Sequence, residues 1–399
     1  RADHIARCMT LEQGKPLREA CAEVLAAADT YEWYAEEGRR NYGRIVPGKT
    51  PTQRISVLHE PVGVCAAFAP WNFPSITPAR KIAGALAAGC TLILKPAEET
   101  PATGQELVRA LHDAGLPAGV LNMVFGVPAE VSGYLLERPE VAKFSFTGST
   151  ATGKKIMVAA AETLKKVFLE LGGKSAAVVL DDADLNAACF MTALNACTHA
   201  GQGCALTTRL VVPRERYDEA VQSAKGAMAA FAPGDPTDPG TLCGPLISEL
   251  QRERVEGYIA LAVEEGGTIE IGGGRPADKT TGYFIEPTLI SGLDNSSRVA
   301  QEEIFGPVLV VIPHDGDEDA VRIANDSPYG LSGAVWGSDL ERVEKVVSGI
   351  RTGTLGVNGG IWYGADVPFG GYKQSGIGRE MGRQGFEEYL ETKAVATPA

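Results

Sequence analysis

The sequence predicts an α/β protein built on parallel sheets. Three observations carry that prediction. Short apolar runs alternate with helical patterns through the first half of the chain. Three polar clusters, PWN, KPAE and FTGS, each fall where an apolar run ends. The strand–helix pattern then restarts near residue 175 with SAAVVL. Parallel strands need long crossovers, usually helical, and ligands in such sheets bind outside the carboxyl ends of the strands. The three clusters are therefore expected on one rim.

Taken in order, the chain opens inside a helical pattern carrying Ile5, Cys8 and Met9. Its first residue is Arg1, which predicts further residues upstream and leaves a targeting segment open. Residues 42–60 alternate apolar and polar positions around a Pro-Gly turn and read as a projecting hairpin. Such a hairpin needs something to pair with, so a homo-oligomer is expected, a dimer or a tetramer. Residues 62–68 (VGVCAAF) form a buried strand, followed by the turn PWNFP at 70–74. Residues 78–88 read as a helix with Pro78 near its start and Gly89 past its end. TLILK at 91–95 is a strand, and Thr100 and Pro101 suit the N-cap and first position of a helix stopping near Gly115. LNMVFG (121–126) and KFSFTG (143–148) are further strands, the second leading through GSTATG into a helix over 151–161. KVFLELGG (166–173) closes this series, and a helical stretch containing 182–197 opens the second unit.

At 399 residues the chain is long enough for more than one domain. Its 44% hydrophobic and 22% charged content is that of an ordinary globular protein, and it holds no internal repeat. The net charge of -13 argues against nucleic acid and against an anionic membrane surface. It leaves room for an anionic cofactor cradled by local backbone amides. No apolar run approaches the ~20 residues that span a bilayer. None of the 8 cysteines forms a CxxC pair, and a chain this large needs no disulfide staples, so a reducing, cytoplasmic compartment is expected. The 5 histidines show no ligand spacing, so no metal is expected.

Chemistry concentrates at a few positions. Cys204, in HAGQGCALTT, sits among small neighbours that let a carbonyl approach a sulfur nucleophile. Glu170 follows the apolar run Val167-Phe168-Leu169, where partial desolvation raises a carboxylate toward the range of a general base. The Asn72 amide can donate to an oxyanion. Each also admits a plainer role: a buried structural cysteine, a surface turn carboxylate, a turn asparagine between prolines. GSTATG (148–153) opens a helix after a strand and offers backbone N–H groups to a phosphate, although it departs from GxGxxG. Lys95 and Glu98 can hold a ribose, and a carboxylate there accepts from a 2′-hydroxyl and repels a 2′-phosphate. His199, five residues before Cys204, is a weaker candidate for a Cys–His pair.

In order along the chain, PWNFP (70–74), KPAEETP (95–101), FTGSTATG (146–153), ELGGK (170–174), GQGC (201–204), QEEIFGPV (301–308), NDSPYGLSG (325–333) and PFGGYKQSGIGREMG (368–382) closely resemble the motifs of the aldehyde dehydrogenase superfamily. The resemblance runs over essentially the whole chain. It implies Cys204 as nucleophile, Glu170 as general base, and Asn72 with the Cys204 backbone N–H as oxyanion donors. The cofactor would be NAD, with Trp71, Lys95, Glu98, Gly126, Gly148, Ser149, Glu303 and Phe305 as the expected binding set, and the substrate a small aldehyde. The presence of Glu170 favours hydrolysis of the acyl intermediate over transfer to coenzyme A. The implied fold has an NAD-binding domain (1–41 and 61–172), a catalytic domain (173–384) and a bridging β oligomerisation element (42–60 and 385–399). Members of the superfamily usually carry a further N-terminal stretch, and a chain without it would expose apolar surface.

Two other readings remain at this point. YEWYAEEGRR (31–40) and FTGSTATGK resemble the succinate-semialdehyde dehydrogenase branch, whose acid substrate needs a cation; Arg209 and Arg80 are the candidates. The remaining alternative is a non-catalytic binding or structural protein on the same fold. Pocket-lining positions near Phe73, Met191, Ala205 and Trp362 are expected to set substrate choice.

Overall fold

The computed structural model describes residues 1–398. Two helices come first, α1 (Ala2–Gln13) and α2 (Leu17–Gly38), then a hairpin of β1 (Arg44–Pro47) and β2 (Gln53–Pro61). The first α/β unit follows: β3 (Val64–Phe68), α3 (Ile76–Ala87), β4 (Thr91–Lys95), α4 (Pro101–Asp113), β5 (Leu121–Met123), α5 (Pro128–Glu137), β6 (Val141–Thr147), α6 (Thr150–Ala161) and β7 (Lys166–Glu170). The second begins with β8 (Ser175–Val179), α7 (Leu185–Cys197), β9 (Thr207–Pro213), α8 (Tyr217–Met228), α9 (Glu249–Glu264), β10 (Thr268–Ile271) and β11 (Thr288–Ser291). It continues through α10 (Arg298–Gln301), β12 (Val308–His314), α11 (Asp317–Asn325), β13 (Tyr329–Gly330), β14 (Gly333–Trp336), α12 (Leu340–Gly349) and β15 (Gly356–Val357). The chain ends with β16 (Tyr372–Lys373), β17 (Gly376–Ile377), α13 (Gly382–Glu387) and β18 (Leu390–Pro398).

The first sheet has the order β17-β7-β6-β3-β4-β5 and is parallel except for the β17 edge. Connections run outward in opposite directions from β3 and β6, so the topological switch point lies between these two strands. That is where a crevice opens at the carboxyl ends. The second sheet has the order β10-β11-β12-β9-β8-β14-β15. Its central strands are buried nearly throughout (AAVV in β8, VLVVI in β12), as a sheet covered on both faces requires. The hairpin pairs with β18 into a third, antiparallel sheet, with register from Leu390↔Pro61 to Pro398↔Gln53.

Several elements differ from expectation, most of them for a long-range reason. Helix α3 starts at Ile76, before Pro78, because the Glu23 carboxylate of α2 accepts from the backbone N–H groups of Ser75 (2.8 Å) and Ile76 (3.1 Å). Thr100 is the N-cap of α4, yet its hydroxyl makes no cap bond. Glu12 of α1 does that job, accepting from Ala102 N (2.6 Å) and Thr103 N (3.0 Å). The strand expected over 121–126 stops at Met123. Residues 376–377, expected within the second unit, form β17 and pair antiparallel with β7, Gly376 opposite Glu170. From there α13 packs against α2 and α3, with Phe386 and Tyr389 in the core of the first unit beside Tyr34 and Ile82.

Candidate functional site

The first sheet supplies one wall of the site from its carboxyl ends. Asn72 lies in the loop after β3 and is 5% exposed. Its Nδ2 donates to the Gln202 carbonyl at 3.2 Å, leaving a second N–H. Its backbone carbonyl accepts from Lys15 Nζ at 2.7 Å. Lys15 in turn is ion-paired with Glu23 and sits 3.9 Å from the centre of the Phe73 ring. An ammonium from the segment between α1 and α2 thus clamps the Asn72 loop.

Glu170 is the last residue of β7 and is 1% exposed. Burial, opposed by the neighbouring Cys204 thiol and Arg80, pushes its carboxyl up to about 7. Its Oε1 is buried without a partner. A carboxylate in that condition is poised to take a proton near neutral pH.

Cys204 comes from the other unit, in the loop between α7 and β9. Burial and the adjacent Glu170 charge hold its thiol well above the ordinary range, with Glu303 adding to the effect and Arg80 opposing it. It therefore rests as a thiol and needs a base, and Glu170 is beside it. Gly173 makes this approach work: a Cβ there would meet the Cys204 carbonyl oxygen at 2.1 Å. Cys204, Glu170 and Asn72 all line one cavity of about 520 Å³, together with Phe73, Met191 and Trp362. Ala205, the remaining position expected to shape substrate choice, lines it too.

The expected cofactor residues gather along the neighbouring rim. Lys95 Nζ donates to Glu98 Oε1 at 3.0 Å at the end of β4. Gly148 and Ser149 lie between β6 and α6, and Ser149 is the N-cap, its Oγ accepting from Thr152 N at 3.3 Å. The exposed start of this twelve-residue helix points unpaired N–H groups and a positive dipole end outward. Gly126 follows β5 with φ 149. Glu303 accepts from Gly173 N at 3.0 Å, and burial pushes its carboxyl up to about 7. Any Cβ on Gly172 would strike that carboxylate at 2.6 Å. Phe305 meets Trp71 edge to face, 5.3 Å between ring centres. The chemistry of this rim suits a dinucleotide: helix-end amides for a pyrophosphate and a carboxylate for a ribose.

Other candidates fall away. His199 is 1% exposed, and burial drives its imidazole well below the usual range; its ring packs edge-on to Trp71 and Phe73, and neither ring nitrogen bonds Cys204. Arg209 is spent on Lys174 O, Asn295 Oδ1, Ile323 O and Ala324 O, outside the large cavity. Arg80 does line it, donating to the Tyr363 hydroxyl at 3.2 Å and stacking over Phe369. Among the described residues no cluster of His, Cys, Asp or Glu has metal-holding geometry, and no helix is long and apolar enough to cross a membrane.

Sequence reasoning missed the buried charges behind Glu170. Lys81 Nζ donates to Glu380 Oε1 (2.6 Å) and to Ser145 Oγ (3.1 Å). Glu380 Oε2 has no hydrogen-bond partner and lies 3.9 Å from Arg80. The signal was two consecutive cations in the otherwise apolar PARKIAGALAA, since charges seldom enter a core unpaired.

The comparisons with known proteins agree with this geometry. The model of the aldehyde dehydrogenase family matches residues 1–395. The mitochondrial succinate-semialdehyde dehydrogenase of Arabidopsis thaliana is 43% identical over 393 residues, 98% of this chain and 74% of that protein. A structure of betaine aldehyde dehydrogenase from Staphylococcus aureus in complex with NAD+ superposes with a TM-score of 0.96 at 39% identity, covering 98% of this chain and 78% of that one. An NADP-dependent enzyme from E. coli superposes at 0.97 with 41% identity, covering 100% and 82%. Motif order, sheet topology and site geometry lead to one assignment: this chain belongs to the aldehyde dehydrogenase family.

Proposed function

We propose that this chain oxidises an aldehyde to a carboxylic acid with NAD+, using Cys204 as nucleophile, Glu170 as general base and Asn72 as oxyanion donor. The observation that carries the reading is the convergence of these three residues, 34 to 132 positions apart, on one cavity. Glu170 takes the Cys204 proton, and the thiolate adds to the aldehyde carbon. The carbonyl electron pair moves to oxygen, where Asn72 Nδ2 and the Cys204 N–H stabilise it; one such donor typically contributes ~3 kcal/mol. Trp71, Glu303 and Phe305 would hold the nicotinamide ring, which when bound would accept the hydride that leaves the former aldehyde carbon and so leave a thioester on Cys204. Once that first proton has left to solvent, Glu170 removes a proton from water, which attacks the thioester carbon; the C–S bond breaks and the Cys204 thiolate takes the proton back from Glu170.

Lys95, Glu98, Gly126, Gly148 and Ser149 would hold the adenosine and pyrophosphate portions. Glu98 favours NAD over NADP, because its carboxylate repels a 2′-phosphate. Residues 1–41 and 61–172 act as the NAD-binding part and 173 onward as the catalytic part, with β17 and α13 returning to the former. The exposed sheet β1-β2-β18, with Ile45 and Leu58 on its surface, supports a homodimer or homotetramer. Eight free thiols suit a reducing, cytoplasmic compartment.

A second reading concerns the substrate. Arg80 in the cavity wall supports a semialdehyde with a distal carboxylate, of the kind named for the Arabidopsis relative. Glu380 shares that charge at 3.9 Å, Lys15 of the lining is paired with Glu23, and the surface that the lining exposes is mostly apolar, which supports an uncharged aldehyde. NADH formation measured with succinate semialdehyde and with an uncharged aldehyde of similar length separates the two. Oxidation of neither aldehyde by the active-site-titrated enzyme contradicts both substrate readings.

A further inference from the structure

Of the carboxylates that line the large cavity, Glu170 is the base and Glu23 holds the start of α3. The third, Glu19, sits in the first turn of α2. An acid in that position ordinarily answers the N–H groups and dipole of its own helix. Glu19 instead reaches 180 positions along the chain: its Oε2 accepts from His199 N at 2.9 Å. The segment it holds is strained. His199 (φ 48, ψ 40) and Ala200 (φ 51, ψ 37) are left-handed, and Gly201 follows at φ 73. Non-glycine residues keep such a conformation only where their surroundings over-determine it. Here Glu19 holds the start of the turn, and Gly306 closes its end, since a Cβ on Gly201 would meet the Gly306 carbonyl at 2.1 Å.

From this turn a hydrogen-bonded chain runs to Asn72. The His199 carbonyl accepts from Gln202 N and from Gln202 Nε2, each at 3.1 Å. Gln202 is fully buried, and its Oε1 accepts from Ile247 N at 3.0 Å. Its carbonyl accepts from Asn72 Nδ2, and Cys204 follows two residues later. The other end of the chain is anchored too. Leu17 N of α2 donates to Pro236 O at 2.9 Å, and a Cβ on Gly244 would meet Gly14 O at 2.1 Å. The start of α2 thus reaches Asn72 by two routes, through Lys15 on its backbone and through Glu19 on its amide.

We propose that Glu19 is a positioning residue for the oxyanion site: by holding the left-handed His199–Ala200 turn it sets the Gln202 carbonyl, and through it the Asn72 amide, against the Cys204 N–H. This rests on the reading of Asn72 as oxyanion donor. Burial pushes the Glu19 carboxyl up to about 7, opposed by Lys15 and the His199 bond. Either protonation form keeps an oxygen that accepts from His199 N, and so does a glutamine amide; a leucine keeps none.

Two reagents that act on Cys204 without cofactor or aldehyde test this in the whole chain. Acylation by 4-nitrophenyl acetate passes through a tetrahedral oxyanion, whereas alkylation by iodoacetamide does not. With the Cys204→Ala rate subtracted, Glu19→Leu should release 4-nitrophenolate about 10–100-fold more slowly than wild type, the scale of a misplaced reacting group. Glu19→Gln should stay close to wild type, and both variants should be alkylated at the wild-type rate. In an Asn72→Ala background the further change Glu19→Leu should cost little more, because the two act through one donor. Should melting show that Glu19→Leu does not fold, Glu19→Ala carries the comparison. Slow acylation in Asn72→Ala beside wild-type acylation in Glu19→Leu overturns the positioning role alone. Equal slowing of acylation and alkylation in Glu19→Leu, or failure of Glu19→Gln to restore acylation, overturns it too. Wild-type acylation in Asn72→Ala overturns the oxyanion reading and this inference with it.

Discussion

The two α/β units meet the cavity with opposite ends of their sheets. The first unit offers carboxyl ends: Asn72 follows β3, Lys95 ends β4, Ser149 follows β6 and Glu170 ends β7. The second offers amino ends: Cys204 precedes β9, Glu303 and Phe305 precede β12, and Ser332 precedes β14. The first rim carries a helix start, an acid and an amide, which suit binding, proton transfer and charge stabilisation. The second carries the sulfur and the Glu303–Phe305 segment. A general rule about strand ends therefore finds half of the site and is silent on the other half.

Variants on the two rims should fail in different ways, and the largest failure belongs to the second. Cys204→Ala should reduce NADH formation by about 10⁴-fold or more, because no other group can form the covalent adduct. Measured NADH production within a factor of a few of wild type would place the nucleophile elsewhere. On the first rim, Glu170→Gln should lower steady turnover by about 10²–10⁴-fold while retaining a single-turnover burst of NADH. Its proton-accepting form exists only above its titration, which lies near 7, so wild-type turnover should fall as pH drops through that value. A glutamine enzyme that keeps the same acid limb would assign that limb to another group. Asn72→Ala should lower kcat by about 10²–10³-fold with a smaller effect on KM, read by steady-state kinetics. Glu98→Ser should have the smallest effect, a shift of about tenfold in the NADP-to-NAD ratio of kcat/KM with little change in the rate with NAD. An unchanged ratio would move ribose recognition away from the end of β4.

Much of the first unit was legible because its signals are local. TLILK is β4 residue for residue, and Thr100-Pro101 and GSTATG fall where α4 and α6 begin. What was illegible is carried by side chains that act across the chain. Nothing near Thr100 announces that Glu12 will bind the start of α4, and nothing near Ser75 announces Glu23. Strand β17 is two residues long and exists only because β7 offers an edge. The proposed catalytic residues, Cys204, Glu170 and Asn72, drew attention both as chemistry and as motif. The Lys81–Glu380 pair, 299 positions apart, did not: the apolar run around Lys81 marks it for burial, but nothing near it names Glu380 as its partner.

The ammonium of Lys15 has a consequence for anyone who reshapes this molecule. It belongs to a connector between two surface helices, yet its hydrogen bond sets where the carbonyl of Asn72 points. Withdrawing one member of a buried ion pair such as Lys15–Glu23 leaves the other stranded, at roughly 3–5 kcal/mol. Exchanging the opening helices for those of another protein would thus reach the reacting carbonyl through the placement of Asn72, besides replacing the cavity-lining Lys15, Glu19 and Glu23, and chimeras joined after residue 41 should be judged by turnover as well as by melting temperature.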